Sequence, residues 1–389
     1  MRARRLIAAP NALKGSLSAI DAAAAIARGA RRALPDASVI ERPVADGGDG
    51  TRAVLVRGLG GEERSLSVSD PLGREIAASF GWLAARGAAV VDVASASGLA
   101  LLADGERDAL RATSYGTGEL VAAALASGCE TLLLGVGGSA SVDGGAGLLE
   151  ALGVRFLDSR GRPIPRGGRG LTALARIELG SLLPAARAAR IVVACDVDNP
   201  LLGADGAARV FGPQKGADAA AVAELEQGLE RLSQAIELRT GRNVSRLPHG
   251  GAAGGIAATL AALLDAELVP GIDVVLDWLG FDAELDGADL VITAEGALDA
   301  QSLRHKAPVG VALRARSRGV PTIALAGCVS PGLDFHATPF AAVLGITQWP
   351  APLAEARRQA GDWLERTAEQ ALRLLELGAD RQPRSGASG

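Results

Sequence analysis

The chain has 389 residues, 48% hydrophobic and 22% charged, with a net charge of -4. That length allows roughly two or three domains and a sizeable core, while the acidic balance argues against the concentrated basic face of a nucleic-acid binder. Three cysteines without CxxC spacing signal neither a disulfide framework nor a zinc site, a reducing cytoplasmic compartment fits, and no long charge-free apolar stretch predicts a membrane span.

Residues 4–9 read as a first buried strand, because the apolar run in MRARRLIAAP is too short for a secretion signal. A loop over 10–16, PNALKGS, precedes Ser18-x-x-Asp21, a capping-box-like start to an alanine-rich helix ending before Pro35. The free N–H groups of a helix start beside Lys14 and Gly15 favour an anion. A strand over 38–43 runs into ADGGDGT, where Asp46 and Asp49 stand among three glycines. This suits a plain turn, and equally a cation or substrate hydroxyls. Short strands over 65–69, 75–82 and 88–93, with Asp70-Pro71-Leu72-Gly73 as a turn, predict an antiparallel stretch. TSYGTGE, 113–119, holds the only tyrosine and precedes a helix over 120–126, a candidate phosphate or nucleotide cradle.

A strand over 131–135 opens a loop, 135–147, with six glycines in thirteen residues. Glycine lets backbone N–H groups approach a ligand closely. Its G-x-G-x-x-A match, with Asp158 downstream, is a weak dinucleotide signal, discounted because the loop runs on past the third position. The strand over 190–194 ends in CDVDNP. Asp196 and Asp198 share a face if strand geometry persists, and with Asn199 they suit Mg²⁺ ligation or general-base work. FGPQKGA carries Lys215 ahead of an amphipathic helix over 219–239, and HGGAAGG, 249–255, is a further glycine loop. A strand over 289–293 breaks into a polar loop with Glu295, Asp299, Gln301, Ser302, His305 and Lys306, then a helix over 309–316. Strands over 322–325 and 341–344 and a helix over 353–377 complete the pattern.

Of forty basic residues only Lys14, Lys215 and Lys306 are lysines, each in a Gly- or Pro-rich turn. A compact ammonium suits phosphate, where the planar fork of arginine does not substitute freely. The βα units at the two ends assemble into a flavodoxin-like, doubly wound parallel sheet of order 2-1-3-4-5, giving an α/β fold. The expected domains are 1–64 plus 285–377 for that sheet and 65–284 for an inserted mixed α/β domain, with 378–389 a disordered polar tail. The loops of Lys14 and Lys306 then flank the switch point, and the inserted glycine loops are expected to close over the crevice.

The segments APNALKGSLSA, PVADGGDGT, SYGTGE, LGVGGSASVDGGAG, CDVDNPLLG, FGPQKGA, GAAGG, DLVITAEGALDAQS and KAPVGVA together resemble the bacterial glycerate kinases of the class without a Walker loop. The resemblance implies a flavodoxin-like domain interrupted by a second α/β domain. It further implies ATP-dependent phosphorylation of D-glycerate, with 2-phosphoglycerate as the usual product. Departures from the family pattern are Asn11 for an acidic residue, Leu13 for Phe, Val142 for Asn, and Ala294 and His305 for Gly. They bear on substrate choice.

Phosphoryl transfer needs charge neutralisation, a metal and a proton acceptor. Lys14 and Lys306 are the candidates to hold anionic groups, and Asp196 is the first choice for the base. Glu295 and Asp299 are candidates for Mg²⁺. Gly137, Gly138, Ser139 and Asp143 are candidates to cradle phosphates or substrate, as are Asn11, Ser16, Asp46, Asn199 and Lys215. The jobs of Asp143, Asp196 and Asp299 are interchangeable at this level. ATP and glycerate are the expected small-molecule partners, with neither nucleic acid nor membrane. The rival readings are a nicotinamide-dependent oxidoreductase on a small hydroxy acid and a non-catalytic two-domain anion binder.

Overall fold

A computed structural model describes residues 5–299 and 306–379. The expectations for Gln301, Ser302 and His305 lie outside the described residues, as does the polar tail beyond 379. Among the described residues the strands are β1 Arg5–Ala8, β2 Ser38–Glu41, β3 Glu62–Ser69, β4 Glu75–Leu83, β5 Ala88–Asp92, β6 Thr131–Gly135, β7 Arg155–Leu157, β8 Arg176–Glu178, β9 Arg190–Cys195, β10 Glu267–Pro270, β11 Leu290–Leu298, β12 Thr322–Val329 and β13 Ala342–Gly345. The chain divides into two compact units, 1–45 with 276–389, and 46–275.

The first unit is built on a five-stranded parallel sheet of order β13-β12-β11-β1-β2, the flavodoxin-like order expected from the ends of the chain. Leu6 of β1 pairs with Val39 on one side and Leu290 on the other. The helix Ala19–Ala33 starts where Ser18 accepts a hydrogen bond from the Asp21 N–H, and Arg31 and Arg32 complement the dipole of its last turn. It crosses the helix Leu353–Ala379 at Gly29, where a Cβ would come within 2.2 Å of the Glu365 carbonyl oxygen. Alanine and glycine on this face let the two backbones close. Ile26, Leu290, Leu325, Trp363 and Leu372 fill the core around that contact.

The inserted unit carries a six-stranded sheet of order β10-β9-β6-β5-β4-β3. β3, β4 and β5 are antiparallel, and β5, β6, β9 and β10 are parallel. The β3–β4 turn is fixed by Asp70, which accepts from the N–H groups of Leu72 at 2.8 Å and Arg74 at 2.9 Å. A small antiparallel pair, β7–β8, stands apart. The helix Thr51–Leu59, for which sequence reasoning sets no expectation, packs on β4, with Val56 against Gly81. The parallel strands of this unit all present their carboxyl ends along one edge, and it is there that the glycine-rich loops lie.

Candidate active site

At the switch point of the first unit, β1 and β11 run side by side and hand over to their loops together. Ala9 N–H donates to Ile292 at 2.8 Å, Asn11 N–H to Ala294 at 2.9 Å, and the Thr293 hydroxyl to Ala9 at 2.8 Å. The 10–16 loop then passes Gly296, where a Cβ would come within 3.4 Å of the Lys14 backbone nitrogen. Lys14 is exposed on this loop. Asn11 uses its side-chain oxygen to accept the Ala12 N–H at 2.9 Å, which shapes the turn. Ser16 donates its hydroxyl to the Arg357 carbonyl at 2.8 Å and so tethers the loop to the C-terminal helix. The Arg357 guanidinium lies 3.4 Å from where a Cβ on Gly15 would sit, and Gly15 has φ of +74°. A second cation therefore stands against Gly15, the residue that follows Lys14. Nothing in the sequence separates Arg357 from the other arginines.

The strand expected to stop at Thr293 continues to Leu298, pairing with β12 through Leu298 and Val329. Glu295 is thus on the strand and not in a loop. Its carboxylate faces Lys306 at 3.7 Å, so one expected metal ligand and one expected cation form a pair. Lys306 is the N-cap of the helix Ala307–Ser317, and Asp299 is half-buried just past the end of β11.

In the inserted unit the acidic turn 46–50 lies flat on the carboxyl ends of β9 and β6. A Cβ on Gly47, whose φ is +89°, would come within 2.3 Å of the Ala194 carbonyl oxygen. Gly137 N–H donates to Gly47 at 3.0 Å, and the half-buried Asp46 backbone abuts Gly271. Asp92, at the end of β5, anchors the helix that follows the turn. Its two oxygens each accept the Arg52 N–H at 3.2 Å. Burial pushes its carboxyl up to about 7, against the pull of the Arg52 N–H and guanidinium. Sequence reasoning missed Asp92. The available signal was a carboxylate closing the otherwise apolar run AAVVD.

The 135–147 loop is organised by Asp143, which is fully buried. Its carboxylate accepts from Ser114 N–H at 2.8 Å, the Ser114 hydroxyl at 2.9 Å, the Thr113 hydroxyl at 3.2 Å, Gly145 N–H at 3.1 Å and Gly147 N–H at 3.3 Å. The cradle expected at 113–119 is therefore turned inward. Its Thr113 and Ser114 hydroxyls serve Asp143, the Thr117 hydroxyl donates to the Ser97 hydroxyl at 2.7 Å, Glu119 accepts the Ser69 N–H at 2.7 Å, and Gly116 and Gly118 let the helix Tyr115–Ala126 close on neighbouring backbone. Most glycines of the 135–147 loop have the same packing role, since added Cβ atoms on Gly137, Gly144 and Gly147 would collide with protein atoms. Gly138 differs. It has φ of +73° and would meet only the Ala94 Cβ, at 3.3 Å. Lys215, expected to touch phosphate, is instead buried and donates to the Ser139 hydroxyl at 2.9 Å and the Ser141 carbonyl at 2.8 Å. Burial pulls its ammonium down to about 7, with Asp143 pulling the other way.

β9 ends at Cys195, so Asp196 and Asp198 do not keep a shared strand face. Asp196 is half-buried, whereas Asp198 is exposed and sits 3.3 Å from His249 Nδ1. That nitrogen is also 2.8 Å from the Val197 carbonyl. Asn199 closes its own turn by donating to the Asp205 carbonyl at 2.8 Å. The 249–255 loop clamps these segments, with Gly251 N–H donating to Asn199 at 2.8 Å and Gly144 N–H to Gly254 at 3.0 Å. It does so through two strained non-glycine residues, His249 at φ 64° and Ala253 at φ 51°. Among the described residues no group of three or more His, Cys, Asp or Glu gathers in a metal-binding arrangement.

The dinucleotide signal is also accounted for. The helix after the glycine loop is Ala146–Ala151, several residues too late for that motif, and Asp158 is occupied with the N–H groups of Arg160 and Arg162 at 2.8 Å and 2.9 Å. Among the described residues no helix is long and apolar enough to cross a membrane.

Comparison with known proteins covers nearly the whole chain. The glycerate kinase family matches residues 6–376. The chain is 42% identical to the glycerate kinase of Bacillus subtilis (strain 168) over 374 residues, 96% of this chain and 98% of the relative. It is 40% identical to the glycerate 2-kinase of Escherichia coli (strain K12) over 375 residues, again 96% and 98%. A crystal structure of a candidate glycerate kinase 2 from Salmonella typhimurium LT2 superposes with a TM-score of 0.85 at 40% identity, covering 97% of this chain and 100% of that one.

Proposed function

This chain belongs to the glycerate kinase family, and from that premise we propose that it phosphorylates D-glycerate on the 2-hydroxyl, with ATP as donor. The observation that carries the reaction is the family match across 6–376. The 2-position is supported by the likeness to the Escherichia coli glycerate 2-kinase, which covers both chains almost completely. Both substrates are small anions, and a cytoplasmic setting suits them.

Both reacting molecules carry negative charge, so cations and N–H donors must gather where they bind. In the first unit Lys14 and Lys306 are the proposed anion-binding residues, with Arg357 supporting the Lys14 loop. In the inserted unit the exposed Gly138 and the buried Ser139 beside it offer backbone and hydroxyl donors to an anion. Asp196 is the proposed base: it is half-buried at the end of a buried strand, so it is held firmly yet reachable. Asp143 keeps the 135–147 loop in shape and Asn199 closes its turn. They position substrate indirectly, as does Asp46 through the turn that rests on β6 and β9.

Mg²⁺ bound with a nucleotide takes one or two carboxylates beside phosphate oxygens and water. Glu295 and Asp299 fit that donor set, and Lys306 at 3.7 Å marks the Glu295 carboxylate as one that takes a cation. When bound, the ion would neutralise charge on the phosphate oxygens. The test is ADP release with D-glycerate present, followed by NMR of the product. Phosphate on the 2-oxygen supports the proposal. Turnover that yields only 3-phosphoglycerate refutes the regiochemistry, and no glycerate-dependent ADP release refutes the reaction.

A further inference from the structure

Lys215 is 3% exposed, in a chain that places nearly all its positive charge on arginine. It ends the short turn Pro213–Lys215, closed by Gly216 at φ 91°. Burying an ammonium is costly unless its donors are used. Two of the three are used, on the Ser139 hydroxyl at 2.9 Å and the Ser141 carbonyl at 2.8 Å, and among the described residues no carboxylate lies within ion-pair distance. A simple packing role would be filled at less cost by a leucine or methionine. The placement of the ammonium therefore asks for a consequence.

That consequence lies at Ser139. In its protonated form the Lys215 side chain has donors only, so the serine oxygen accepts from it and the serine proton turns elsewhere. Among the described residues that proton has no acceptor. The backbone around it is pinned: Leu99 N–H donates to Gly138 at 2.8 Å and Ala140 N–H to Ser97 at 2.8 Å. Asp143 fixes the far flank through Gly145 and Gly147. Gly138, immediately before the serine, is the least packed glycine of the loop's tight turns. A hydroxyl with a fixed oxygen, an uncommitted proton and a positive charge behind it is set up to donate to an oxyanion.

We infer that Lys215 is a positioning residue acting through Ser139, whose hydroxyl donates to an oxygen of a bound substrate anion. The anion is either a nucleotide phosphate or the glycerate carboxylate. This rests on the kinase reading above and assigns Lys215 no direct contact with substrate.

The test uses the full chain as wild type, Ser139→Ala, Lys215→Met, Lys215→Gln and the double variant Ser139→Ala/Lys215→Met. kcat and KM for ATP and for glycerate are measured, with melting temperature as a folding check. Each single loss should lower kcat/KM by about tenfold, the scale of one charge-assisted hydrogen bond. The double variant should fall no further than the weaker of the two singles. Gln keeps an N–H that can reach Ser139, so Lys215→Gln should recover much of the loss. The substrate whose KM rises identifies the anion. Losses that multiply in the double variant, or a Lys215→Met defect alongside a fully active Ser139→Ala, would overturn the inference. If Lys215→Met does not fold, Ser139→Ala at wild-type rates overturns it alone. A wild type that releases no ADP with glycerate refutes the kinase reading separately. The same proteins are then titrated with ATP and with glycerate by calorimetry, and equal affinities throughout, or no binding of either, overturn the inference as well.

Discussion

Replacing Asp143 by alanine separates an organising role from a ligand-binding one. In the folded protein this carboxylate satisfies three backbone N–H groups and two hydroxyls, all buried. The hydroxyls can rotate toward other acceptors. The N–H groups of Ser114, Gly145 and Gly147 cannot. Each buried donor left without a partner costs about 1–3 kcal/mol, so three give about 3–9 kcal/mol before relaxation. Water entering the vacated volume recovers part of this, leaving about 4 kcal/mol. For a unit the size of 46–275 that corresponds to a fall in melting temperature of about 10 °C. The assay is thermal unfolding followed by far-UV circular dichroism, with urea titration on the same variant. A variant that melts within about 2 °C of wild type yet has lost its activity would refute the reasoning, because Asp143 would then act on ligand and not on the loop.

Four further outcomes are expected. Gly47→Ala places a Cβ 2.3 Å from the Ala194 carbonyl at φ 89° and should cost about 3 kcal/mol, whereas Gly60→Ala, at φ 66° with open space, should cost about 1 kcal/mol by the same urea titration; equal costs would contradict the close-approach account. Burial raises the Asp92 carboxyl from 3.8 to about 7, so its contribution to stability is fully present below pH 4 and is lost as pH rises through 7; Asp92→Asn should flatten that part of the stability profile, and an unchanged slope would count against it. Asp196→Asn should lower kcat by about a hundredfold with an unchanged melting temperature, and a drop of less than about tenfold in a folded variant removes the base assignment. Lys306→Ala should weaken binding of ATP or of glycerate by about tenfold, and calorimetry showing normal affinity for both would remove its proposed role.

The order of the first sheet was legible because buried parallel strands leave apolar runs, and LIAA, LVIT and IALA are such runs. The length of β11 was not legible. Glu295 and Gly296 look like loop residues, yet they sit on a strand that is still paired with β12 and ends in the buried Leu298. The helix Thr51–Leu59 buries only Thr51, Val54 and Leu55, too little pattern to say which sheet it covers. β7 and β8 have three residues each, too short for an alternation to register. For the site, the sequence showed which chemical groups exist and not their surroundings. Asp143 and Asp196 both sit in polar, glycine-flanked or strand-end segments, but one is sealed among five donors and the other is half-buried. Lys215, in a turn between glycines, looks solvated until the fold places Ser139 and Ser141 beside it. Such differences arise only when distant segments are brought together.

The close approach of Gly271 to Asp46 has a kinetic side. The two ends of the inserted unit meet once that unit has folded, with the Asp46 carbonyl oxygen where a Cβ on Gly271 would be. The first sheet must join Ala9 to Thr293 across 284 positions. If the inserted unit folds first, the effective loop shrinks to roughly sixty residues, which lowers the entropic cost of closure by about 1.4 kcal/mol. During synthesis β1 and β2 emerge long before β11, and they wait as an unpaired two-stranded edge. The inserted unit can complete its own core in that interval. Its folding is therefore what delivers the second half of the first sheet to the first, and mutations that loosen the 46–271 contact should slow assembly of a sheet in which they do not lie.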